Sequence, residues 1–245
     1  MLPYTIRRVR QEDLTLERVL KQGAQGIIYT GTLVSDWTCT PVVIKQLHFS
    51  NRHQLEQEAK VLQSLNGAGG APVLFGVTHE EPFYLVMSHC PGHELQMFSG
   101  SCTHLEGLQV FIKLCEAVEE IHKKGFAHND LHSENILVDR TSSNFIIHII
   151  DMGYAEPLTG DLFDGRTWRD YEKLVSHAKE IARTLDSSTK FAEFKSIVET
   201  ASNTVESVKL LVETAKVCCV QGIDTPPSVF DALGHSKHMY QTYFY

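Results

Sequence analysis

The sequence predicts an α+β chain, with strands gathered in the amino-terminal half and helices in the carboxy-terminal half. Three observations carry that expectation. Short β-rich runs punctuated by glycine fill residues 16–89, with one amphipathic helix among them. After Thr103, long stretches repeat their apolar residues at helical spacing. Between these regions a polar loop, His128-Asn129-Asp130-Leu131-His132-Ser133-Glu134-Asn135, leads into two short apolar runs. The 245 residues suffice for one large domain or two small lobes, and 42% hydrophobic with 21% charged residues is the composition of a soluble globule.

In residues 16–29 two β-rich runs flank Gly23 and Gly26, which predicts a hairpin with a glycine-bearing turn. Glycine lets backbone amides approach a polyphosphate closely, although a plain hairpin turn needs the same residues. The next strand, 41–47, is apolar except where Lys45 interrupts it, either as an exposed edge lysine or as a functional cation. Residues 51–65 form a helix: Asn51 with Gln54 gives a capping-box pattern, and Leu55, Ala59, Leu62 and Leu65 make an apolar stripe. Glu58 falls on that stripe. A carboxylate turned toward a core needs a partner, and Lys45 is the available one; a solvated edge position is the alternative. The glycine-rich run 66–72 ends the helix, strands follow at 73–78 and 83–89, and Cys90-Pro91-Gly92 breaks the pattern.

Residues 103–124 are the clearest helix. Thr103 and Glu106 form a capping box, Leu108, Phe111, Ile112, Cys115, Val118 and Ile121 recur at helical spacing, and Lys123, Lys124 and Gly125 close it. The apolar runs 136–138 and 145–150, separated by a polar turn, predict an antiparallel hairpin. That pairing brings Asn135, just before the first strand, close to Asp151, just after the second, with Asp130 in the preceding loop. Two carboxylates and an amide oxygen at one mouth suit a hard cation such as Mg²⁺, with a carboxylate left for proton or positioning work. Trp168 and Asp170 open a helix running to about Leu185. Two more helices are expected at 189–201 and 204–219, then a break at 222–227 and an aromatic tail, 238–245, packing on the domain, with a partner-binding tail as the alternative.

The loop string resembles the catalytic loop of the protein kinase superfamily, His-x-Asp with four residues before Asn, followed by an Asp-x-Gly triplet at Asp151-Met152-Gly153. The resemblance covers roughly residues 16–185. It implies a bilobal kinase-like fold with a five-stranded sheet and one helix in the first lobe and a mostly helical second lobe. One domain over 1–245 would divide into a lobe of about 1–89, a hinge at about 88–92 and a lobe of 93–245. The implied activity is ATP- and Mg²⁺-dependent phosphoryl transfer to a protein Ser, Thr or Tyr hydroxyl. Catalysis would rest on Lys45, Glu58, Asp130, Asn135 and Asp151, with Asn135 and Asp151 holding the metal. Gly23, Gly26, Ile28, Val43, Lys45, Met87, Ser88, Cys90 and Leu137 would form the nucleotide site. Met87 would line its back, and the backbone of Ser88 and Cys90 would meet adenine.

Several positions depart from that pattern. Lys21 stands where the first glycine of the glycine-rich loop is usual, Val43 replaces an alanine packing on adenine, and Met152 replaces a phenylalanine. Asn129 takes the place of an arginine that grips a phosphate on the activation loop, which points to activity without such phosphorylation. His132 stands where lysine is usual, and the loop also resembles those of aminoglycoside and choline phosphotransferases. The segment between Asp151 and Asp170 is short and lacks Ala-Pro-Glu. Asp170 is the candidate brace of the catalytic loop, or else a plain helix-terminal acid. A small-molecule kinase and a pseudokinase binding module are the rival readings.

The net charge of −8 argues against a nucleic-acid surface. No apolar run reaches bilayer-spanning length, and Met1 to Arg8 lacks a signal-peptide core. Six scattered cysteines fit reduced thiols in the cytoplasm, with the nucleus as the alternative. His128 and His132 lack a third ligand at helical spacing, against structural zinc.

Overall fold

In the computed structural model, residues 5–23, 26–35, 38–47, 52–99, 102–142, 144–158 and 166–223 are described. The amino-terminal part is a five-stranded antiparallel sheet in the order β1-β2-β3-β5-β4, from β1 (Leu14–Gln22), β2 (Gly26–Ser35), β3 (Thr38–Leu47), β4 (Leu74–Val77) and β5 (Tyr84–Met87). One face buries Val9, Leu33, Val42, Ile44, Tyr84 and Val86 as a small core of its own. The other receives α1 (Arg52–Leu65), whose buried stripe Leu55, Ala59, Leu62 and Leu65 also carries Glu58 inward. The expected cap Asn51 lies outside the described residues.

Past β5 the chain makes β6 (His93–Glu94) and the short helix α2 (Leu95–Ser99). It then enters α3 (His104–Lys123), where the expected capping box is present: Thr103 accepts from the Glu106 N–H, and Glu106 accepts from the Thr103 N–H. Leu108, Phe111, Ile112, Cys115, Val118 and Ile121 are all buried, making α3 the spine of the helical part. Against it pack α4 (Trp168–Thr184), α5 (Ala192–Thr200) and α6 (Val205–Ile223), with Phe111 meeting Phe194 edge to face. The two-residue strand β7 (Phe126–Ala127) precedes the loop, and the hairpin β8 (Ile136–Arg140) and β9 (Phe145–Ile149) follows it. The hairpin pairs antiparallel from Ile136↔Ile149 to Arg140↔Phe145, as the apolar runs predict. A further two-residue strand, β10 (Glu156–Pro157), pairs with β7. A β-rich part and a helical part thus form the bilobal arrangement.

One boundary differs from expectation. The break placed at Gly222 is absent, because α6 continues through that residue to Ile223. A lone glycine costs a helix only about 1 kcal/mol, too little to end a helix already packed on its neighbours. The rest of the predicted break and the aromatic tail lie outside the described residues.

The loop between β7 and β8 is pinned from below. Asp170, in the first turn of α4, is fully buried and accepts from the backbone N–H of His128 at 2.9 Å and of Asn129 at 2.8 Å. His122 Nε2, from the last turn of α3, donates to the same carboxylate at 2.8 Å. Asp170 is therefore a brace, the first of the two readings its position allows. His128 is equally buried: its Nδ1 accepts from the Asp130 N–H at 3.2 Å, and its Nε2 donates to the Ile150 carbonyl at 3.1 Å. Only a neutral imidazole protonated at Nε2 satisfies both bonds. Burial, partly opposed by Asp170 and other acids, holds its pKa below 6.5.

Removing the brace strands three buried donors, so Asp170→Ala is expected to lower unfolding free energy by about 3 kcal/mol or more. Asp170→Asn, which keeps an acceptor oxygen, is expected to lose less; equal losses in urea titrations would reject the brace. His128 sets a pH dependence as well. The unfolded histidine protonates before the folded one as pH falls, so this stabilisation is whole above about pH 6.5 and lost below it. The urea midpoint of the parent chain should drop between about pH 7 and about pH 5. His128→Gln should flatten part of that slope, with His177, whose pKa burial also lowers, keeping the rest.

Candidate active site

A cleft of about 430 Å³ opens between the sheet and the helical part, within the range of ligand-binding pockets. Its walls include Ile28 and Val43 from the sheet, Met87, Ser88 and Cys90 from the crossing strand, and Asn135, Leu137 and Asp151 from the far side. Val43 lines this cleft without closing it.

At the inner end Lys45 is almost wholly buried. Its Nζ lies 3.0 and 2.9 Å from the two Glu58 oxygens and 2.8 Å from Asp151 Oδ1. The predicted Lys45–Glu58 pair is thus formed, and the edge-lysine and solvated-glutamate alternatives fall. Burial alone would lower the lysine pKa, but Glu58 and Asp151 outweigh it and hold the ammonium charged well above its usual range. Burial pushes the Glu58 carboxyl up, against the pull of Lys45, and the Met152 backbone adds a hydrogen bond to it. Asp151 goes the other way, because Lys45 outweighs its burial and keeps it ionised.

Local backbone sets these positions. Asp151 has φ +62°, a left-handed conformation that aspartate tolerates better than most residues, and its Oδ1 accepts from the Gly153 N–H. A Cβ at Gly153 would stand 3.1 Å from that oxygen, a tight contact that the carboxylate would have to yield to. Asn129 also takes a left-handed φ of +65°, and its side-chain amide donates to the Tyr154 carbonyl. At the cleft mouth, Asn135 Nδ2 donates to Asp130 at both the carbonyl, 3.0 Å, and Oδ2, 3.2 Å. The amide oxygen of Asn135 is then the atom it offers to a cation. The Ile150 N–H bonds the Asn135 carbonyl at 2.9 Å, so the two ends of the hairpin meet as predicted. No cluster of three or more His, Cys, Asp or Glu suited to a metal occurs among the described residues. The oxygens of Asn135 and Asp151 are instead a partial, hard-donor set that fits a cation also held by a ligand.

Other expected residues sit differently. Gly23 and Gly26 do not line the cleft. The Gly23 N–H donates to the Gly26 carbonyl at 3.0 Å, closing the hairpin, and a Cβ at Gly26 would approach Gln46 O to 2.1 Å. Close approach of β3 is therefore the visible reason for Gly26, while Ala24 and Gln25 lie outside the described residues. The Ser88 N–H is already bonded to the Val73 carbonyl, leaving its carbonyl for a ligand. Cys90 turns its thiol toward the Gly70 carbonyl, and burial raises its pKa to about 11, making it a poor nucleophile. Among the residues missed from sequence are Leu20, His93, Glu94, Met97, Glu134 and Ile150, all lining the cleft. Leu20 and Met97 are exposed apolar side chains whose neighbours carry no periodicity to mark them.

Comparison with known proteins agrees with this arrangement. Residues 14–174 match the family described as protein tyrosine and serine/threonine kinase. The chain is 27% identical over 162 residues to the tyrosine-protein kinase ABL2 of Homo sapiens, covering 63% of this chain and 13% of that protein. It is 32% identical over 157 residues to the serine/threonine-protein kinase unc-51 of Caenorhabditis elegans, covering 56% of this chain and 18% of that one. The match thus spans less than a fifth of either relative. With the family matched across both sides of the cleft, the chain belongs to the family described as protein tyrosine and serine/threonine kinase.

Proposed function

We propose that this kinase transfers the γ-phosphoryl group of ATP, with Mg²⁺, to a Ser, Thr or Tyr hydroxyl of a protein acceptor. The observation that carries the reading is the buried cation Lys45 held between Glu58 and Asp151, with Asp130 and Asn135 bonded to each other at the cleft mouth. Adenine would lie between Val43, Ile28 and Leu137, in front of Met87, against the backbone of Ser88 and Cys90. Lys45 would fix the phosphates, and Glu58 keeps that lysine in place. Asn135 and Asp151 would hold Mg²⁺, which supplies charge neutralisation on the phosphates when bound. Asp130 would orient the acceptor hydroxyl and take its proton. Positioning and electrostatics do the work, with little covalent chemistry asked of the protein.

The catalytic unit in this reading is one domain with lobes at about 1–89 and 93–245, working in the cytoplasm. A small-molecule acceptor is the second reading. It is favoured by His132, whose Nε2 lies 3.5 Å from Asp130 Oδ2, and by the short stretch between Asp151 and Asp170. Labelled ATP offered with peptide and with metabolite acceptors separates the two, since transfer to metabolites alone would reject the protein acceptor.

Asp130→Asn is expected to cut turnover by about 10²-fold or more, as loss of a general base does. Its Mg-ATP-dependent thermal shift should persist, and wild-type turnover would remove Asp130 from its role. Lys45→Met is expected to abolish transfer and to lower stability by about 3 kcal/mol, because Glu58 loses its buried partner. Uptake of a proton by Glu58 would limit that loss, so the deficit should shrink as pH falls.

A further inference from the structure

The residue that breaks the glycine pattern does something on the page. Lys21, near the end of β1, reaches across the cleft mouth to the helical part. Its Nζ is hydrogen-bonded to Glu134 Oε2 and lies 3.7 Å from Glu94 Oε1. Glu134 immediately precedes Asn135, and Glu94 ends β6, so one side chain of the sheet is tied to two segments of the opposite wall.

The strand is built to allow this reach. In a regular strand successive side chains point to opposite faces. Here Leu20 and Lys21 both line the cleft, and the β1–β2 register slips between Val19 and Lys21. A bulge of that kind re-aims a side chain, and this one turns a lysine inward beside an apolar neighbour. The cleft is therefore spanned at two depths: Lys45 to Asp151 within, and Lys21 to Glu134 and Glu94 at the rim. Lys45 is almost shut from water and Asp151 is about a quarter exposed, whereas Lys21 and Glu134 are about half exposed, so salt screens the outer pair more strongly.

We propose that Lys21, Glu134 and Glu94 form an ionic gate across the cleft mouth, which must open for a nucleotide to enter or leave. The inference rests on the nucleotide reading above and adds to it a means of controlling exchange. Because the gate is a screened surface contact, it opens more often as ionic strength rises. The lysine is held charged by its bond to Glu134, and Glu134 is held ionised by the same bond, so ordinary pH changes leave the gate intact.

Release of a fluorescent ATP analogue with Mg²⁺, followed by stopped flow on the full chain between about 0.05 and about 0.5 M salt, tests the gate. Lys21→Met and Glu134→Gln are each expected to release the analogue about two- to fivefold faster at low salt, the size that an exposed pair carries. The double variant should be no faster than either single one, and the parent chain should approach them at high salt. Glu134→Gln is decisive, because a lysine that merely clasped phosphate would hold the analogue as long or longer once its competing acid was gone. Unchanged or slower release from Glu134→Gln overturns the gate while leaving nucleotide binding intact. Absence of any analogue binding by the parent chain overturns the nucleotide reading and the gate with it.

Discussion

Everything at the centre of this protein depends on a single ammonium group shared by two carboxylates from different parts of the chain. Lys45 comes from β3, Glu58 from α1 and Asp151 from the end of the β8–β9 hairpin. Taking three charges out of water is costly, and the attraction among them repays that cost only when the geometry is tight. The sheet, its helix and the helical part must therefore sit in one relative position for the cluster to exist. Asp151, kept ionised by Lys45, lines the cleft, which suits a place where a further cation is received.

The helical part answers the same demand from the other side. Its loop is polar and mostly irregular up to a short 3-10 turn at Ser133–Asn135, and such a segment holds a defined shape only if its backbone groups find partners. Asp170 supplies two acceptor oxygens to consecutive N–H groups, and His122 secures that carboxylate in turn. His128 links the Asp130 N–H to the Ile150 carbonyl, so the start of the loop is tied to the far end of the hairpin. The residues facing the cleft are then placed by a second layer that never touches it.

Much of this was legible in the amino-acid order, and the reasons are specific. Glu58 could be assigned a buried partner because it interrupts an apolar stripe, and the structure buries it against Lys45. The meeting of Asn135 with Asp151 followed from two apolar runs and a turn between them. What escaped notice lacks periodicity. Two-residue strands such as β7 and β10 are too short to show alternation, and α2 spans barely a turn. The inward face of Lys21 depends on a register slip that no residue type announces. Gly26 could be read as a phosphate approach or as a plain hairpin turn, and its close approach to Gln46 of the neighbouring strand is visible only in coordinates. Gly222 misled for the opposite reason, since tertiary packing overrode a weak local preference.

The left-handed backbone at Asp151 has one more implication. An L-residue held at φ +62° sits uphill of its relaxed conformers by on the order of 1 kcal/mol, and it stays there because Lys45 and Gly153 grip its side chain. A fragment bearing only the helical half would keep the Asp-Met-Gly letters yet lose the lysine, and the peptide would slacken toward commoner angles. The aim of that carboxylate is thus a property of the two halves together, and not something the triplet carries with it when excised.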